Sequence, residues 1–182
     1  MIDRVAAWVV VALLTASSAV AVAAAAPLPV VAAVDLDRYA GKWHEIARYP
    51  NRFERMCVAD VTATYTRNTD GTIAVVNDCR KGDGTRERAE GLARVVQAPA
   101  KLQVRFAPAW LSWLPLVWGD YWIVDLDPDY RYVIVGEPSR EYLWILAREP
   151  ALDDETWHTL YGKLPRLGYD PDQLVRNPGT TR

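Results

Sequence analysis

The stretch DLDRYAGKWHEIARYP, residues 35–50, places Gly41 two positions before Trp43, at the point where apolar and polar residues begin to alternate. Alternation with a period of two is typical of a β-strand that buries one face. Trp43 puts the largest kind of side chain at the start of that buried face. Gly41 has no Cβ, so the backbone can turn tightly just before the tryptophan. The stretch therefore predicts a first strand over Lys42 to Pro50.

Seven further alternating segments follow, separated by turn signals, and they predict an all-β fold. They are Val58 to Arg67, Thr72 to Arg80, Thr85 to Gln97, Lys101 to Ala107, Asp120 to Asp127, Tyr130 to Gly136 and Glu141 to Arg148. Their connections are short, so consecutive strands are expected to pair antiparallel. Eight such strands can close into an up-and-down β-barrel, which leaves no exposed sheet edge.

One α-helix is predicted after the strands, with acidic residues in its first turn, where the helix dipole favours them. An apolar stripe at every fourth position is expected to pack on the barrel wall; its members are Leu152, Thr156, Leu160 and Leu164. The segment Gln173 to Val175 predicts a short edge strand. The folded domain is expected to span residues 35–176, with a flexible tail over 177–182.

Residues 1–26 have the features of a secretory signal peptide. An apolar run from Val5 to Leu14 is followed by small residues, and cleavage after Ala23 and cleavage after Ala26 both remain open. An uncleaved membrane anchor is the competing interpretation, but the run is shorter than the ~20 apolar residues that a spanning helix needs. No cysteine precedes Cys57, so a lipid-modified N-terminal cysteine is not expected. We expect a soluble exported protein.

The chain has two cysteines, Cys57 and Cys79. In an oxidising compartment two cysteines most often form one disulfide, and the predicted strands place them on neighbours. Closing that loop would stabilise the fold by roughly 3 kcal/mol in the chain-entropy model. A nucleophilic thiol is the alternative, but it would need a cationic neighbourhood that the sequence does not indicate.

Composition and charge argue against several classes of function. The chain is 51% hydrophobic and 24% charged, with a formal net charge of -2. Its basic residues are interleaved with acidic ones, so binding to nucleic acid is not expected. The two histidines, His44 and His158, fall on a strand and on the helix, a spacing that predicts no catalytic dyad or triad, no metal site and no cofactor. We predict a binding protein and not an enzyme.

Strand parity predicts which side chains point into the barrel, because alternate residues of a strand face opposite sides. The inward rows of the second and fifth strands are apolar: Val61, Ala63 and Tyr65, and Leu102, Val104 and Phe106. In the fourth strand most inward residues are small: Glu87, Ala89, Gly91, Ala93 and Val95. A barrel of eight strands either fills itself with side chains or holds one small ligand, and the small residues favour a cavity. Filling by Trp and Tyr side chains is the alternative.

Three short motifs resemble the sequence signatures of the lipocalins: Gly41 with Trp43, Gly119-Asp120-Tyr121, and Arg148 at the end of the eighth strand. The similarity extends from about residue 35 to residue 176. Within it, LDRYAGKWHEIARYPNRFER and GDYWIVDLDPDYRYVIVGEPSREYLWILAR resemble the bacterial outer-membrane lipocalin (Blc) and apolipoprotein D subgroup. The resemblance implies an eight-stranded antiparallel barrel with one C-terminal helix packed on its wall.

The resemblance also implies roles for the motif residues. Trp43 is expected to close one end of the barrel beneath a 3₁₀ turn at Leu36 to Tyr39, with Arg148 stacked on its indole. Gly41, Trp43 and Arg148 are therefore expected to be structural residues. If Arg148 points inward, Tyr142 and Trp144 share its face of the last strand.

The function implied by the resemblance is to carry or store a small hydrophobic ligand, a fatty acid or a lysophospholipid, in the cell envelope. The expected lining is Tyr49, Val61, Ala63, Tyr65, Ala89, Gly91, Leu102, Val104, Phe106, Trp122, Tyr142 and Trp144. Glu45 either forms an ion pair near the base, with Arg148 as one candidate, or contacts the ligand head group. An envelope structural or stress protein with a filled barrel is the alternative, and a lipid-modifying enzyme is a weaker one. Because a lipidated cysteine is missing, the periplasm or an unanchored outer-membrane association is expected.

The connection over residues 107–118 is unusually apolar for a loop, with Trp110, Trp113 and Trp118 among its residues. Exposed apolar surface of this extent marks an interaction site. Contact with a membrane surface or ligand acyl chains is the preferred interpretation, and a homodimer contact is the other.

Overall fold

The computed structural model describes residues 26–178 and contains nine strands and two helices within them. The strands are β1 (Gly41–Arg48), β2 (Cys57–Arg67), β3 (Ile73–Lys81), β4 (Arg86–Val95), β5 (Lys101–Arg105), β6 (Gly119–Leu126), β7 (Tyr132–Gly136), β8 (Leu143–Ala147) and β9 (Val175–Arg176). The helices are α1 (Leu36–Tyr39) and α2 (Asp154–Lys163).

The first eight strands pair antiparallel in chain order, and β1 pairs with both β2 and β8, which closes the sheet. The predicted eight-stranded up-and-down barrel with one C-terminal helix is therefore confirmed. β9 adds two residues to the upper part of β1. This edge strand lies slightly further along the chain than predicted.

The N-terminal half of β1 closes one end of the barrel. Asp35 caps α1 by accepting hydrogen bonds from backbone amides of its first turn. α1 is a single α-helical turn in place of the expected 3₁₀ turn. Gly41 then adopts a φ of +100°, a conformation that side chains with a Cβ rarely adopt. Trp43 is fully buried below α1, and its indole N–H donates to the carbonyl of Tyr39 at 2.8 Å.

Arg148 stabilises this end from the last strand. Its guanidinium carbon lies 3.9 Å from the centroid of the Trp43 ring. Nη1 donates to the carbonyl of Lys42 at 2.9 Å, and Nη2 donates to the three carbonyls of residues 38–40 at 2.6 to 3.1 Å. One side chain therefore satisfies the orphan carbonyls at the end of α1 and covers the buried indole.

A β-bulge reverses the side-chain alternation in the upper half of β1. The register to β8 shifts between Glu45 and Ala47. Ala47 consequently belongs to a hydrophobic cluster outside the barrel. Tyr49 packs there edge-on against Tyr169, and its hydroxyl donates to the carbonyl of Asp170 at 2.7 Å. The predicted inward placement of Tyr49 is therefore wrong, because a bulge interrupts the alternation of inward and outward residues.

Trp122 also lies outside the barrel, contrary to the prediction. Tyr121, which pairs with Leu102, and Ile123 belong to the interior cluster. Trp122 packs against the outer cluster, with Lys101 Nζ 4.2 Å from its ring centroid. Both faces of β6 are apolar because one meets the barrel interior and the other meets the layer beneath α2. Composition alone could not tell these faces apart.

α2 packs on the barrel wall and creates that second hydrophobic core. Asp153 caps the helix, accepting from the backbone N–H of Thr156 at 2.7 Å. Thr156, predicted as part of the apolar stripe, therefore serves the helix N-terminus, and Trp157 supplies the buried contact instead. The buried members on and beside the helix are Leu152, Trp157, Leu160 and Leu164.

The segment before α1 belongs to the folded unit. Val31 donates its backbone N–H to the carbonyl of Ile123 at 3.0 Å, and Val34 is buried against the barrel interior. The folded unit thus begins earlier than the expected boundary at residue 35. Residues 1–25, which make up almost all of the predicted signal peptide, lie outside the described residues. Neither helix within the described part of the chain is long and apolar enough to cross a bilayer.

The C-terminal boundary is also displaced. Asn177 is buried, and its backbone N–H donates to the carbonyl of Ile46 at 2.9 Å. The flexible tail predicted to begin at residue 177 is therefore wrong at its first residue. Residues 179–182 lie outside the described residues.

The predicted disulfide is confirmed. Cys57 and Cys79 are bridged, with their Cα atoms 5.6 Å apart and a sequence separation of 22. The bridge joins the beginning of β2 to the end of β3. It therefore reinforces the end of the barrel opposite Trp43.

The contacts of Arg148 predict that replacing it with lysine, which keeps the charge, destabilises the fold. We expect Arg148→Lys to lower the free energy of unfolding by about 2 kcal/mol, because an ammonium cannot reach all of these carbonyls and still cover the indole. Urea unfolding followed by circular dichroism measures the change. Arg166→Lys, at an exposed position beyond α2, is the control. A lysine variant as stable as the control would contradict the assigned role.

Candidate ligand-binding site

The end of the barrel opposite Trp43 is the open end. Consecutive antiparallel strands place the β1–β2, β3–β4, β5–β6 and β7–β8 connections there together. Along the inward row of β4, Ala93 is buried, Gly91 is half-buried, and Ala89 and Glu87 are exposed. Exposure that rises toward the connections indicates an interior space that opens to solvent at this end.

Most of the predicted lining residues lie together on the inner face. They are Glu45, Ala63, Tyr65, Ala89, Gly91, Leu102, Val104, Phe106, Tyr142 and Trp144. Val61 is buried but lies beside a bulge in β2 and belongs to neither hydrophobic cluster. Tyr49 and Trp122 lie outside, as described above.

Gly91 has a different role from the one its size predicted. A Cβ at this position would lie 2.8 Å from ring carbons of Phe106. The missing side chain therefore accommodates the Phe106 ring and does not leave open volume. Ala89 lies two residues nearer the open end. It is exposed, so its small side chain leaves interior space.

Three tyrosines form the lower part of the interior. The hydroxyl of Tyr121 lies 2.6 Å from that of Tyr39 and 2.8 Å from that of Tyr65. Burial raises the pKa of all three phenols. They consequently remain neutral at physiological pH and satisfy one another, so the floor of the interior behaves as an apolar surface.

A charged cluster lies near the open end on β1. Glu45 is only 5% exposed, and its Oε1 accepts from Arg48 Nη1 at 3.0 Å and from Asn177 Nδ2 at 2.9 Å. Arg48 Nε lies 3.4 Å from Glu54 Oε2. Burial and, secondarily, the charge of Glu54 raise the pKa of Glu45 well above its ordinary value. Glu45 therefore pairs with Arg48. It does not pair with Arg148, which the sequence analysis named as one candidate partner.

The β1–β2 connection folds over this cluster. The indole N–H of Trp144 donates to Glu54 Oε1 at 2.9 Å. Phe53 packs on Tyr142 with ring centroids 5.7 Å apart, and Tyr142 stacks on Trp144 at 5.9 Å. The loop is therefore held to β8 by one hydrogen bond and a row of three rings. Sequence reasoning missed Arg48 and Glu54, because their meeting depends on the bulge in β1 and on the path of the loop.

Asn77 is a further inward residue that sequence reasoning missed. It shares a face of β3 with Ile73 and Val75, and it lies directly between Ala63 of β2 and Ala89 of β4. The parity of the third strand would have found it. Its side chain brings an amide into a row of apolar groups.

The tryptophan-rich connection between β5 and β6 projects from the rim of the open end. It forms two 3₁₀ turns, Ala109–Leu111 and Pro115–Val117. Trp110, Trp113 and Leu116 are 74%, 75% and 83% exposed. Trp118 is held against the wall between Arg94 and Arg105, whose guanidinium carbons lie 3.9 and 5.3 Å from its ring centroid.

The histidines lie apart from this interior. His158 is exposed on α2, with Nδ1 2.6 Å from the carbonyl of Asp154. His44 is half-buried on β1, on the opposite face from Trp43. Within residues 26–178, no group of three or more metal-ligating side chains is close enough to hold an ion.

The fold and the sequence together define the class of protein. Residues 34–179 match the family model described as a lipocalin-like domain. The chain belongs to the lipocalin family.

Three relatives place the chain more closely. It is 42% identical to temperature-induced lipocalin-1 of Arabidopsis thaliana over 155 residues, which cover 83% of this chain and 82% of the relative. It is 36% identical to the outer membrane lipoprotein Blc of Escherichia coli K12 over 167 residues, 87% and 91% of the two chains. Apolipoprotein D of Mus musculus is 32% identical, covering 81% of this chain and 78% of that protein. The resemblance to the Blc and apolipoprotein D subgroup is thereby confirmed.

A solved structure supports the fold. Insecticyanin from the tobacco hornworm Manduca sexta aligns with a TM-score of 0.63 at 21% identity, covering 86% of this chain and 89% of that chain. At that identity the likeness concerns the barrel architecture alone.

The raised pKa of Glu45 predicts a distinct pH dependence of stability. The folded state holds the proton of this carboxyl to higher pH than the unfolded state does. The contribution of Glu45 to stability therefore falls as pH rises above the ordinary carboxyl value of 4.5 toward the raised folded value.

We compare the free energy of unfolding of Glu45→Gln with that of wild type. We expect this difference to shift in favour of the variant from pH 5 to pH 7.5, by more than the ~0.5 kcal/mol typical of surface substitutions. Urea unfolding at the two pH values measures the difference. Glu141→Gln, which changes an exposed carboxylate at the same end, is the control. A difference independent of pH would contradict the raised pKa.

Proposed function

We propose that this chain binds a small hydrophobic ligand inside its barrel, and carries or stores it in the cell envelope. Lipocalins are known for binding such ligands. The single observation that carries the proposal is the inward row of β4, which passes from buried Ala93 through half-buried Gly91 to exposed Ala89 toward the open end. A completely filled barrel would bury Ala89.

The proposed ligand class is a fatty acid or a lysophospholipid. The interior cluster is almost entirely apolar below the charged groups near the opening. An acyl chain would be stabilised there by ~0.8 kcal/mol for each CH₂ removed from water. Glu45, Arg48 and Glu54 lie at the height where a polar head group would emerge. The proposed function is binding without catalysis.

Two neighbouring residues of β4 provide a matched test of the cavity. We expect Ala89→Trp to fill the interior and weaken binding of oleate and of oleoyl-lysophosphatidylcholine by at least about tenfold. Glu90→Trp places the same side chain on the outer face and should leave binding unchanged. Native mass spectrometry and organic extraction of protein from the exported fraction would show the co-purifying lipid. If neither wild type nor Glu90→Trp binds lipid, the filled-barrel structural role replaces this proposal.

For location, we infer export to the periplasm or to the surface of the outer membrane. The signal-like residues 1–26 and the printed name of the Blc relatives, outer membrane lipoproteins, support export. Contact with a membrane surface is supported by Trp110, Trp113 and Leu116, which extend the open end with apolar side chains. Ligand could then pass between bilayer and barrel without crossing water. A homodimer through the same residues is the competing interpretation.

Replacing the two exposed indoles tests that contact. We expect Trp110→Ser with Trp113→Ser to reduce the fraction of protein that sediments with phosphatidylcholine vesicles at least about fivefold, because interfacial binding scales with buried apolar area. Val95→Ser with Val96→Ser removes exposed apolar residues from the closed end and is the control. Sedimentation velocity on the same proteins detects a dimer. A wild-type dimer lost in the tryptophan variant, with no vesicle binding by either, would assign the patch to self-association.

A further inference from the structure

The β1–β2 connection carries positive charge that no acidic side chain in the described part of the protein neutralises. Arg52 and Arg55 are exposed, and within residues 26–178 no salt bridge joins either of them to an acid. Glu54 is the one acidic residue of the connection. Its carboxylate turns toward the barrel, where it accepts from the indole N–H of Trp144 at 2.9 Å. The outward side of the connection is therefore cationic.

The two exposed arginines line one cleft outside the barrel. The Oδ1 atom of Asn51 accepts from the backbone N–H groups of Phe53 and Glu54, both at 3.0 Å, and this turn fixes the course of the connection. Arg48, at the base of the cleft, already pairs with Glu45 and Glu54. The other two guanidinium groups are left to meet an anion from outside. The cleft has a volume of about 240 Å³ and is lined by Arg48, Pro50, Asn51, Arg52, Arg55 and Val175.

Apolar side chains lie beside these charges on the same connection and at the start of β2. Phe53, Met56 and Val58 are 56%, 45% and 45% exposed. The guanidinium carbon of Arg52 lies 4.9 Å from the centroid of the Phe53 ring. Cations interleaved with exposed apolar groups suit the interface of a bilayer, because the apolar groups enter between the lipids while the cations stay at the phosphates.

Charge complementarity selects the kind of bilayer. A guanidinium presents its N–H donors in a fork that matches the oxygens of a phosphate. Each arginine near an anionic membrane surface strengthens binding by about fivefold. The whole chain has a formal net charge of -2, so attraction to an anionic surface has to come from a local group of cations. Arg52 and Arg55 form such a group at the open end.

We propose that the β1–β2 connection docks on an anionic phospholipid bilayer, with Arg52 and Arg55 bound to lipid phosphates and Phe53 inserted beside them. This inference rests on the proposed membrane contact of the open end, and it adds the charge of the lipid. Trp110 and Trp113 are exposed at the same end of the barrel. One bilayer therefore meets both connections, and the barrel opening faces it.

The test measures how protein from the exported fraction sediments with two kinds of vesicle. One kind is phosphatidylcholine, and the other is an equimolar mixture of phosphatidylcholine and phosphatidylglycerol. We expect wild type to bind the mixed vesicles at least about tenfold more tightly, because two arginines contribute. Sodium chloride at about 1 M, which shortens the screening length to about 3 Å, should remove that preference.

Variants assign the preference to the two arginines. Arg52→Gln with Arg55→Gln should bring the affinities for the two vesicles to within about threefold of each other. Arg52→Lys with Arg55→Lys keeps the charge and should keep most of the preference. Lys42→Gln with Lys101→Gln removes the same charge from the closed end and is the matched control. Circular dichroism checks that each variant is folded.

The outcomes separate this inference from the proposed function. Equal binding of wild type to both vesicles overturns the inference and leaves the membrane contact through the tryptophans standing. A preference that persists in the glutamine variant, or that the control loses to the same extent, also overturns it. Failure of wild type to bind either vesicle removes the membrane contact and the inference together. Ligand binding inside the barrel is tested independently by Ala89→Trp.

Discussion

The structure depends on the contact between Arg148 and Trp43. The two ends of the barrel sequence meet there, since Trp43 lies near the start of β1 and Arg148 directly follows β8. The guanidinium covers the indole and donates to four carbonyls of residues 38–42. These bonds reinforce the seam closed by the pairing of β1 with β8, and they satisfy the carbonyls at the end of α1 with one side chain. Because Arg148 and Trp43 stabilise the closed end, this closure does not depend on the sequences of the loops at the open end.

Two hydrophobic cores share the barrel wall. The inner one is built around Trp43 and the buried tyrosines, and the outer one lies under α2. A strand between two cores is apolar on both faces, as β6 is at Trp122 and its neighbours. Among residues 26–178, no helix packs on the outer wall at β3 and β4, and most outward side chains of β4 are charged. The difference explains why parity was informative on β3 and β4 and failed on β6.

Polarity changes in steps from the closed end to the open end of the interior. The floor is apolar because its tyrosine hydroxyls bond one another. Asn77 introduces a neutral polar group at mid-height, and the cluster of Glu45, Arg48 and Glu54 brings charge to the rim. An amphiphile with an apolar chain and a polar head has the same order of groups. This correspondence relates the fold to the proposed carrier function more directly than cavity size does.

The sequence pattern predicted eight alternating strands, the turns between them, one helix and the pairing of Cys57 with Cys79. It also identified most of the inner row, since Ala63, Tyr65, Leu102, Val104 and Trp144 lie on strands without an interruption at those residues. The remaining features of the site depend on contacts between distant parts of the chain. The bulge after Glu45 turned Tyr49 outward and brought Arg48 to Glu45, and the path of the β1–β2 connection delivered Glu54 to Trp144. The alternation of apolar and polar residues indicates which face of a strand is buried. The position of a bulge and the path of a loop depend instead on contacts between residues far apart in the chain.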